Sequence, residues 1–208
     1  MRILIADDHR LVRTALRFLL MEAYPELELE EVDNTAALFK KAVKENWDLI
    51  ISDLSFPDQS GLEVLKQIKN TVPKIPVLIL SMYPAQEYAI RCITAGSAGY
   101  LTKDCISEEL IKAVNQITAG RKYLNLEVAE LLASSYEHKT KSDAHESLSD
   151  REYAVFKLLI DGINMQTISE KLSISVNTVR SHKVHIQKKM NLHGDADIIK
   201  YGIQHQIQ

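Results

Sequence analysis

Nowhere in these 208 residues does an apolar run approach the roughly 20 residues that a bilayer crossing requires. Stretches such as Val77 to Leu80 and Leu49 to Ile51 end after a few positions, so no segment is expected to span a membrane. Asp7 and Asp8 stand where a secretory leader would carry its apolar core, so no cleaved leader is expected and the chain is expected in the cytoplasm. Cysteine is scarce. Cys92 and Cys105 form neither a C-x-x-C pair nor a metal-ligand spacing, which suits a reducing compartment and a structural role. A P-loop and a G-x-G-x-x-G turn are both missing, so the chain is not expected to be its own kinase. Internal repeats and low-complexity tracts are missing too.

What is present suffices for one large core or two modest ones, at 46% hydrophobic residues. The net charge of −3 conceals an asymmetry. Residues 1–120 hold 13 Lys and Arg against 17 Asp and Glu, whereas residues 148–208 hold 8 against 6. Within Val176 to Met190 lie Arg180, Lys183, Lys188 and Lys189 with no acid, a cationic stripe that suits a polyanionic partner.

Two rhythms divide the chain. Up to residue 119, short runs of Val, Ile and Leu alternate with segments of helical period, the pattern of a parallel sheet covered on both faces. Strands are expected at 2–6, 27–32, 49–53, 77–81 and 99–101. Between the first two, Leu11, Val12, Ala15, Leu16 and Leu19 share a helical face opposite Arg10, Arg13 and Arg17. The fold class is therefore α/β, a doubly wound five-stranded parallel sheet, followed by a second, all-α domain. After Gly120 only helical periods remain. A short helix is expected at 126–135, a polar linker at 138–147, and helices at about 150–161, 165–172, 176–190 and 195–204, broken at Gly162 and Gly194. The expected domains are 1–120, a connecting segment 121–147, and 148–208.

In such a sheet ligands bind beyond the carboxyl ends of the strands. Asp7 and Asp8 follow the first strand and Asp53 ends the third. Three carboxylates gathered at one edge repel each other unless a cation answers them, and hard oxygen ligands favour Mg2+. Ser81 closes the fourth strand and Lys103 lies just past the fifth. A hydroxyl and an ammonium beside a carboxylate and a metal are the parts that stabilise a transferring phosphoryl group, with Asp53 as the nucleophile.

In the second half, 165–172, the turn Ser173-Ile174-Ser175 and 176–190 read as helix, turn and helix, with Ser175 placed to cap the latter. Val179, Ile186 and Met190 should face the core, leaving Asn177, Arg180, Ser181, Val184 and Lys188 outward. Such a helix can enter a major groove while its lysines neutralise phosphates. His182 is expected to pack or cap and His185 to meet a phosphate. A metal site at this pair lacks a third ligand. Ile198, Ile199 and Ile203 on the last helix suit either pairing of two chains or core burial.

These residues resemble a response regulator of the NarL/FixJ subfamily, a receiver domain plus a LuxR-type helix-turn-helix domain, over essentially the whole chain. The resemblance implies that Asp53 is the phosphorylated aspartate, that Asp7 and Asp8 form the acidic pair, that Ser81 is the switch hydroxyl, Lys103 the phosphoryl-stabilising lysine and Tyr100 the switch aromatic. It implies Mg2+ held by Asp8, Asp53 and the backbone carbonyl of Ser55, with Asp7 acting partly through water. Pro57 and Gly61 fit the family's loop, although Asp58-Gln59-Ser60 is not its commonest wording. The segment from Leu148-Ser149-Asp150-Arg151-Glu152 through Asn177-Thr178-Val179-Arg180-Ser181-His182 resembles the DNA-binding domain, implying DNA contacts by Asn177, Thr178, Arg180, Ser181, Lys183, Val184, His185 and Lys188. Ala154, Ser169 and Val184 depart from the common pattern, which leaves Arg180 and Ser181 as the stronger base contacts. Partners implied are a histidine kinase, double-stranded DNA and a second copy of the chain. The chain is not expected to be an enzyme in its own right, beyond the receiver's own phosphorylation and dephosphorylation with Mg2+.

Each feature has a plainer explanation. Asp8 can cap the helix that follows it, Asp53 can end a strand in a turn, Ser81 can be one more strand-end hydroxyl, Lys103 can pair with Asp104, Tyr100 can be a core residue, and a basic helix can be a solvated face. A phosphatase or phosphotransferase on a similar sheet would use the same side chains. Such enzymes carry D-x-D after the first strand and a substrate cap, where this chain has Asp7-Asp8-His9 and a basic tail. A receiver acting by protein contact alone is the other rival.

Overall fold

Five short strands, Arg2–Ala6 (β1), Glu28–Val32 (β2), Leu49–Asp53 (β3), Val77–Ser81 (β4) and Gly99–Thr102 (β5), form one parallel sheet in the order β2-β1-β3-β4-β5 in this computed structural model. The structure describes residues 1–137, 144–205 and 207. Every residue of β3 and β4 is buried, which is why both read as unbroken apolar runs: helices cover both faces. At the edge, β2 is half-buried along most of its length and buried only at Val32; it begins at Glu28, one residue after the buried Leu27. The fifth strand continues to Thr102, which pairs with Ser81.

Helices Arg10–Ala23 (α1), Thr35–Lys44 (α2), Gly61–Thr71 (α3), Ala85–Thr94 (α4) and Ile106–Thr118 (α5) connect the strands. Alternate strand residues Ile3, Ile5, Leu49, Ile51, Leu78 and Leu80 pack with Leu16 and Leu20 of α1 and Leu110 and Val114 of α5. Burying each such side chain stabilises the fold by about 1.5–3 kcal/mol. The register does the positioning. Ala6 pairs with Ser52, Asp53 with Leu80 and Ser81 with Thr102, so β1, β3, β4 and β5 all end along one edge. Beyond β5, Tyr123 bridges to Gly99, and Leu126–Glu137 (α6) packs on α4, where the Gln86 amide donates to Glu127 at 2.6 Å. Residues 1–138 form one compact unit.

The second unit, 139–208, is helical: Asp150–Ile160 (α7), Met165–Lys171 (α8), Val176–Met190 (α9) and Asp195–Gln204 (α10). Three of these helices start where the sequence supplies side-chain caps. Ser149 and Glu152 form a reciprocal capping box on α7, Asn164 caps α8 and Ser175 caps α9. Val155, Phe156, Ile168, Val179, Ile186, Met190 and Ile198 make the core. The apolar face expected on α10 is not continuous: Ile198 is in the core, whereas Ile203 is 72% exposed, five positions and about 140° further round the helix. Residues 138–143 of the expected polar linker lie outside the described residues.

Candidate functional site

The strand edge gathers acidic side chains from two chain segments and a lysine from a third into a single pocket. Lys103 Nζ lies 2.7 Å from Asp7 Oδ2 and 2.9 Å from Asp53 Oδ2, with all three side chains nearly inaccessible to solvent. Asp53 Oδ1 accepts the Leu54 N–H at 2.7 Å, so its carboxylate is oriented from both sides. Asp7 Oδ1 accepts the His9 N–H at 2.8 Å, which leaves Asp8 free of a capping role: the N-cap of α1 is His9, with no side-chain cap. Burial pushes the Asp53 carboxyl above the usual carboxylate range, against the pull of Lys103 and with a further push from Asp7. For Lys103, burial acts downward, but the hydrogen bond to Asp7 and the charge of Asp53 outweigh it and raise the pKa overall.

Ligand atoms of Asp7, Asp8, His9 and Asp53 all fall within 4.8 Å of one another. Asp7 Oδ2 and Asp8 Oδ1 are buried and accept no hydrogen bond of adequate geometry; Lys103 Nζ lies 2.7 Å from the former and Nδ1 of the exposed His9 ring 2.8 Å from the latter. One ammonium among three carboxylates leaves negative charge unanswered. Hard oxygen donors with unused lone pairs are what a small divalent cation takes, so the residues present fit Mg2+. His9 was not singled out by sequence reasoning as part of this cluster, since a residue opening a helix gives no pattern. Asp58 was missed too. It accepts hydrogen bonds from Thr35 Oγ1 at 2.6 Å and Thr35 N at 3.1 Å, tying the loop after Asp53 to the start of α2. Gly61 shapes the same loop: a Cβ there would lie 2.3 Å from the Asp53 carbonyl oxygen.

Ser81 is fully buried and its Oγ accepts the Tyr83 N–H at 3.0 Å. Tyr100 donates its hydroxyl to the Tyr83 carbonyl at 2.7 Å and is only 1% exposed. The ring is thus already inside in this structure. Burial raises the Tyr100 pKa strongly, so it stays a neutral donor.

Helix α9 carries Asn177, Thr178, Arg180, Ser181, Val184, His185 and Lys188 exposed, with Val179, Ile186 and Met190 buried opposite. Ser175 Oγ accepts the Thr178 N–H at 3.0 Å, fixing the start of the helix. Arg180 donates to Asn177 Oδ1 at 3.3 Å, so these two side chains lie together on the open face. Lys183 departs from expectation. It is only 15% exposed and pairs with Asp195 at the start of α10. Lys189 is likewise held, donating to Glu152 Oε2 at 2.6 Å. Among the described residues, Arg180 and Lys188 are therefore the cations of α9 without a carboxylate partner. No helix among the described residues is long and apolar enough to cross a membrane.

Comparison with known proteins places both halves. Residues 3–115 match the family described as the response regulator receiver domain, and residues 146–201 match bacterial regulatory proteins of the luxR family. The oxygen regulatory protein NreC of Staphylococcus carnosus is 33% identical over 214 aligned positions, covering 98% of this chain and 97% of that protein. A structure of the Salmonella typhimurium RcsB response regulator, described by its conformational dynamism for DNA interaction, is 26% identical with a TM-score of 0.60, covering 97% of each chain. Another, of two RcsB dimers bound to two parallel DNAs, is 25% identical with a TM-score of 0.59, covering 100% of this chain and 99% of that one.

Proposed function

Since this chain belongs to the response regulators that join a receiver to a LuxR-type DNA-binding domain, we propose that phosphorylation of Asp53 by a partner histidine kinase controls its binding to DNA. The observation that carries this reading is the buried Asp7–Lys103–Asp53 contact beside unsatisfied oxygens of Asp7 and Asp8. We assign the receiver to residues 1–120, the connection to 121–147 and the DNA-binding domain to 148–208, in a cytoplasmic protein.

A carboxylate oxygen of Asp53 attacks the donor phosphorus; the new O–P bond forms as the donor's bond to phosphorus breaks, and the leaving group departs with that electron pair. Asp53 suits this role because Leu54 N–H and Lys103 fix its orientation. Lys103, within 2.9 Å of Asp53, supplies positive charge where phosphoryl oxygens gather. Asp7, Asp8, Asp53 and the carbonyl of Ser55 would hold Mg2+, which when bound offsets the negative charge of donor and carboxylates. Beyond its own phosphorylation and dephosphorylation the chain acts as a transcriptional regulator, not as an enzyme.

The signal leaves through Ser81. Its Oγ now accepts the Tyr83 N–H, and a hydroxyl turned to donate to a phosphoryl oxygen on Asp53 gives that contact up. Tyr83 is also the residue whose carbonyl receives Tyr100, so both bonds at one backbone unit, just before α4, are at stake together. At the other end, Arg180 and Ser181, with Asn177, Thr178 and Val184, are proposed to read bases, and Lys188 and His185 to meet phosphates. Lys183 contributes there after exchanging Asp195 for a phosphate. The RcsB dimers solved on DNA support a homodimer on two half-sites.

Binding to duplex promoter fragments at two salt concentrations, with and without a small acyl-phosphate donor and Mg2+, tests the reading. Affinity should rise with the donor, fall steeply with salt, and lose its donor response in Asp53→Asn. An unchanged donor response in that variant would refute the coupling.

A further inference from the structure

At the opposite edge of the receiver sheet, about 16 Å from Asp53 along β3 at roughly 3.3 Å per residue, the chain forms an open cleft of about 790 Å3. Trp47 and Asp48 enter it just before β3, and Ser97 just before β5; Lys69, Lys74, Arg121 and Lys122 complete the cationic wall. That volume lies in the range of small-molecule sites, roughly 300–1,000 Å3.

The charges there are unbalanced. Among the described residues, none of the four cations has a carboxylate within ion-pair distance. The one acid of the cleft, Asp48, already accepts the Arg2 N–H at 2.7 Å. Lys69 is half-buried and held by the Ile75 carbonyl at 2.5 Å, while its stem crosses Gly96, where a Cβ would meet Lys69 Cγ at 3.3 Å. Burial, then the neighbouring charge of Lys122, pull its pKa down, so the ammonium is both desolvated and opposed by a like charge. Ser97 lies fully buried at the base of the cleft wall.

We propose that this cleft binds a small anion carrying two or more phosphate groups. Arginine and lysines together suit phosphate oxygens, the fork of Arg121 chelating and the lysines acting as point charges. A doubly phosphorylated group also matches a wall whose four cations face a single engaged carboxylate. The site is separate from the phosphoryl-transfer pocket, shares none of its residues, and gives the receiver a second input.

Trp47, the chain's one tryptophan, is a built-in reporter on the cleft wall. Pyrophosphate is titrated into the full chain carrying Asp53→Asn, in EDTA and at constant ionic strength, following Trp47 fluorescence and heat of binding. A saturable signal with Kd below about 1 mM is expected, weakened about tenfold or more by Arg121→Ala with Lys122→Ala. Both substituted residues are exposed, so the fold should survive, which circular dichroism checks. No saturable signal, equal affinity in the double variant, or the same change from sulfate at equal ionic strength would each overturn the proposal.

Discussion

Replacing Lys103 with Met keeps the unbranched side chain, one atom shorter, and removes the charge that holds the pocket together. Asp7 Oδ2 and Asp53 Oδ2 then lose a cation at 2.7 and 2.9 Å, at positions 1% and 3% exposed. Breaking a buried ion pair from one side leaves its partner uncompensated, at a cost of about 3–5 kcal/mol. Part of the loss can be relieved by protonating Asp53, which already sits above the ordinary carboxylate pKa of 3.8 and would rise further without the downward pull of Lys103. The sign follows: a carboxyl raised in the folded state favours folding below the unfolded pKa, and that benefit disappears as pH rises through the folded pKa. The deficit should therefore be smallest in acid and full at neutral pH. Mg2+ should stabilise the variant more than wild type, because it answers charge that Lys103 no longer answers; a ligand at 100 times its Kd contributes about 2.7 kcal/mol. Urea unfolding of the receiver in EDTA and in Mg2+, across pH 4 to 8, measures all three quantities. A loss under about 1 kcal/mol at neutral pH, or equal Mg2+ stabilisation of both proteins, would refute the reasoning.

Other substitutions probe separate parts. Gly61→Ala should destabilise the receiver by about 2–4 kcal/mol, since its methyl would collide with backbone that cannot yield, and phosphorylation should slow with it; a fully stable variant on urea melts would contradict this. Glu152→Gln should cost the helical domain about 1–2 kcal/mol at neutral pH through the capping box and Lys189. Hydrogen bonds from Lys189 and Ser149 outweigh burial and hold the Glu152 pKa below 4.5, so this stabilisation is present above that value and fades as pH falls through the lowered pKa, which acid titration of both proteins resolves. Arg180→Ala should weaken specific DNA binding by about 1–3 kcal/mol and relax preference at one base position, whereas Lys188→Ala should weaken all sequences alike and reduce the salt slope by about 1, both read by fluorescence anisotropy.

Much of the acidic pocket was legible because parallel strands converge: in a βα repeat, residues ending successive strands must share an edge, so Asp7, Asp53, Ser81 and Lys103 could be placed together from their positions alone. The buried face of α9 was legible for a similar reason, as Val179, Ile186 and Met190 follow one helical stripe. What escaped depended on contacts without a period. The pairing of Lys183 with Asp195 joins two helices through a turn, so the basic stripe read from sequence overstated the charge on the open surface. Tyr100 was recognised by type, but its buried hydroxyl bond to Tyr83 depends on where the β4–α4 loop runs. The cationic cleft was invisible for the same reason: Lys74, Arg121 and Lys122 come from connections that sequence patterns leave unplaced, and join Lys69 from the last turn of α3.

The most direct test is to locate the phosphoryl group. The protein is incubated with a small acyl-phosphate donor and Mg2+, trapped by borohydride reduction and mapped by peptide mass spectrometry. One modification on the peptide containing Asp53, lost in EDTA, is the predicted result. Phosphate on another residue, or equal labelling of Asp53→Asn, would contradict the claim that Asp7, Asp8, Asp53 and Lys103 form the phosphoryl-accepting centre.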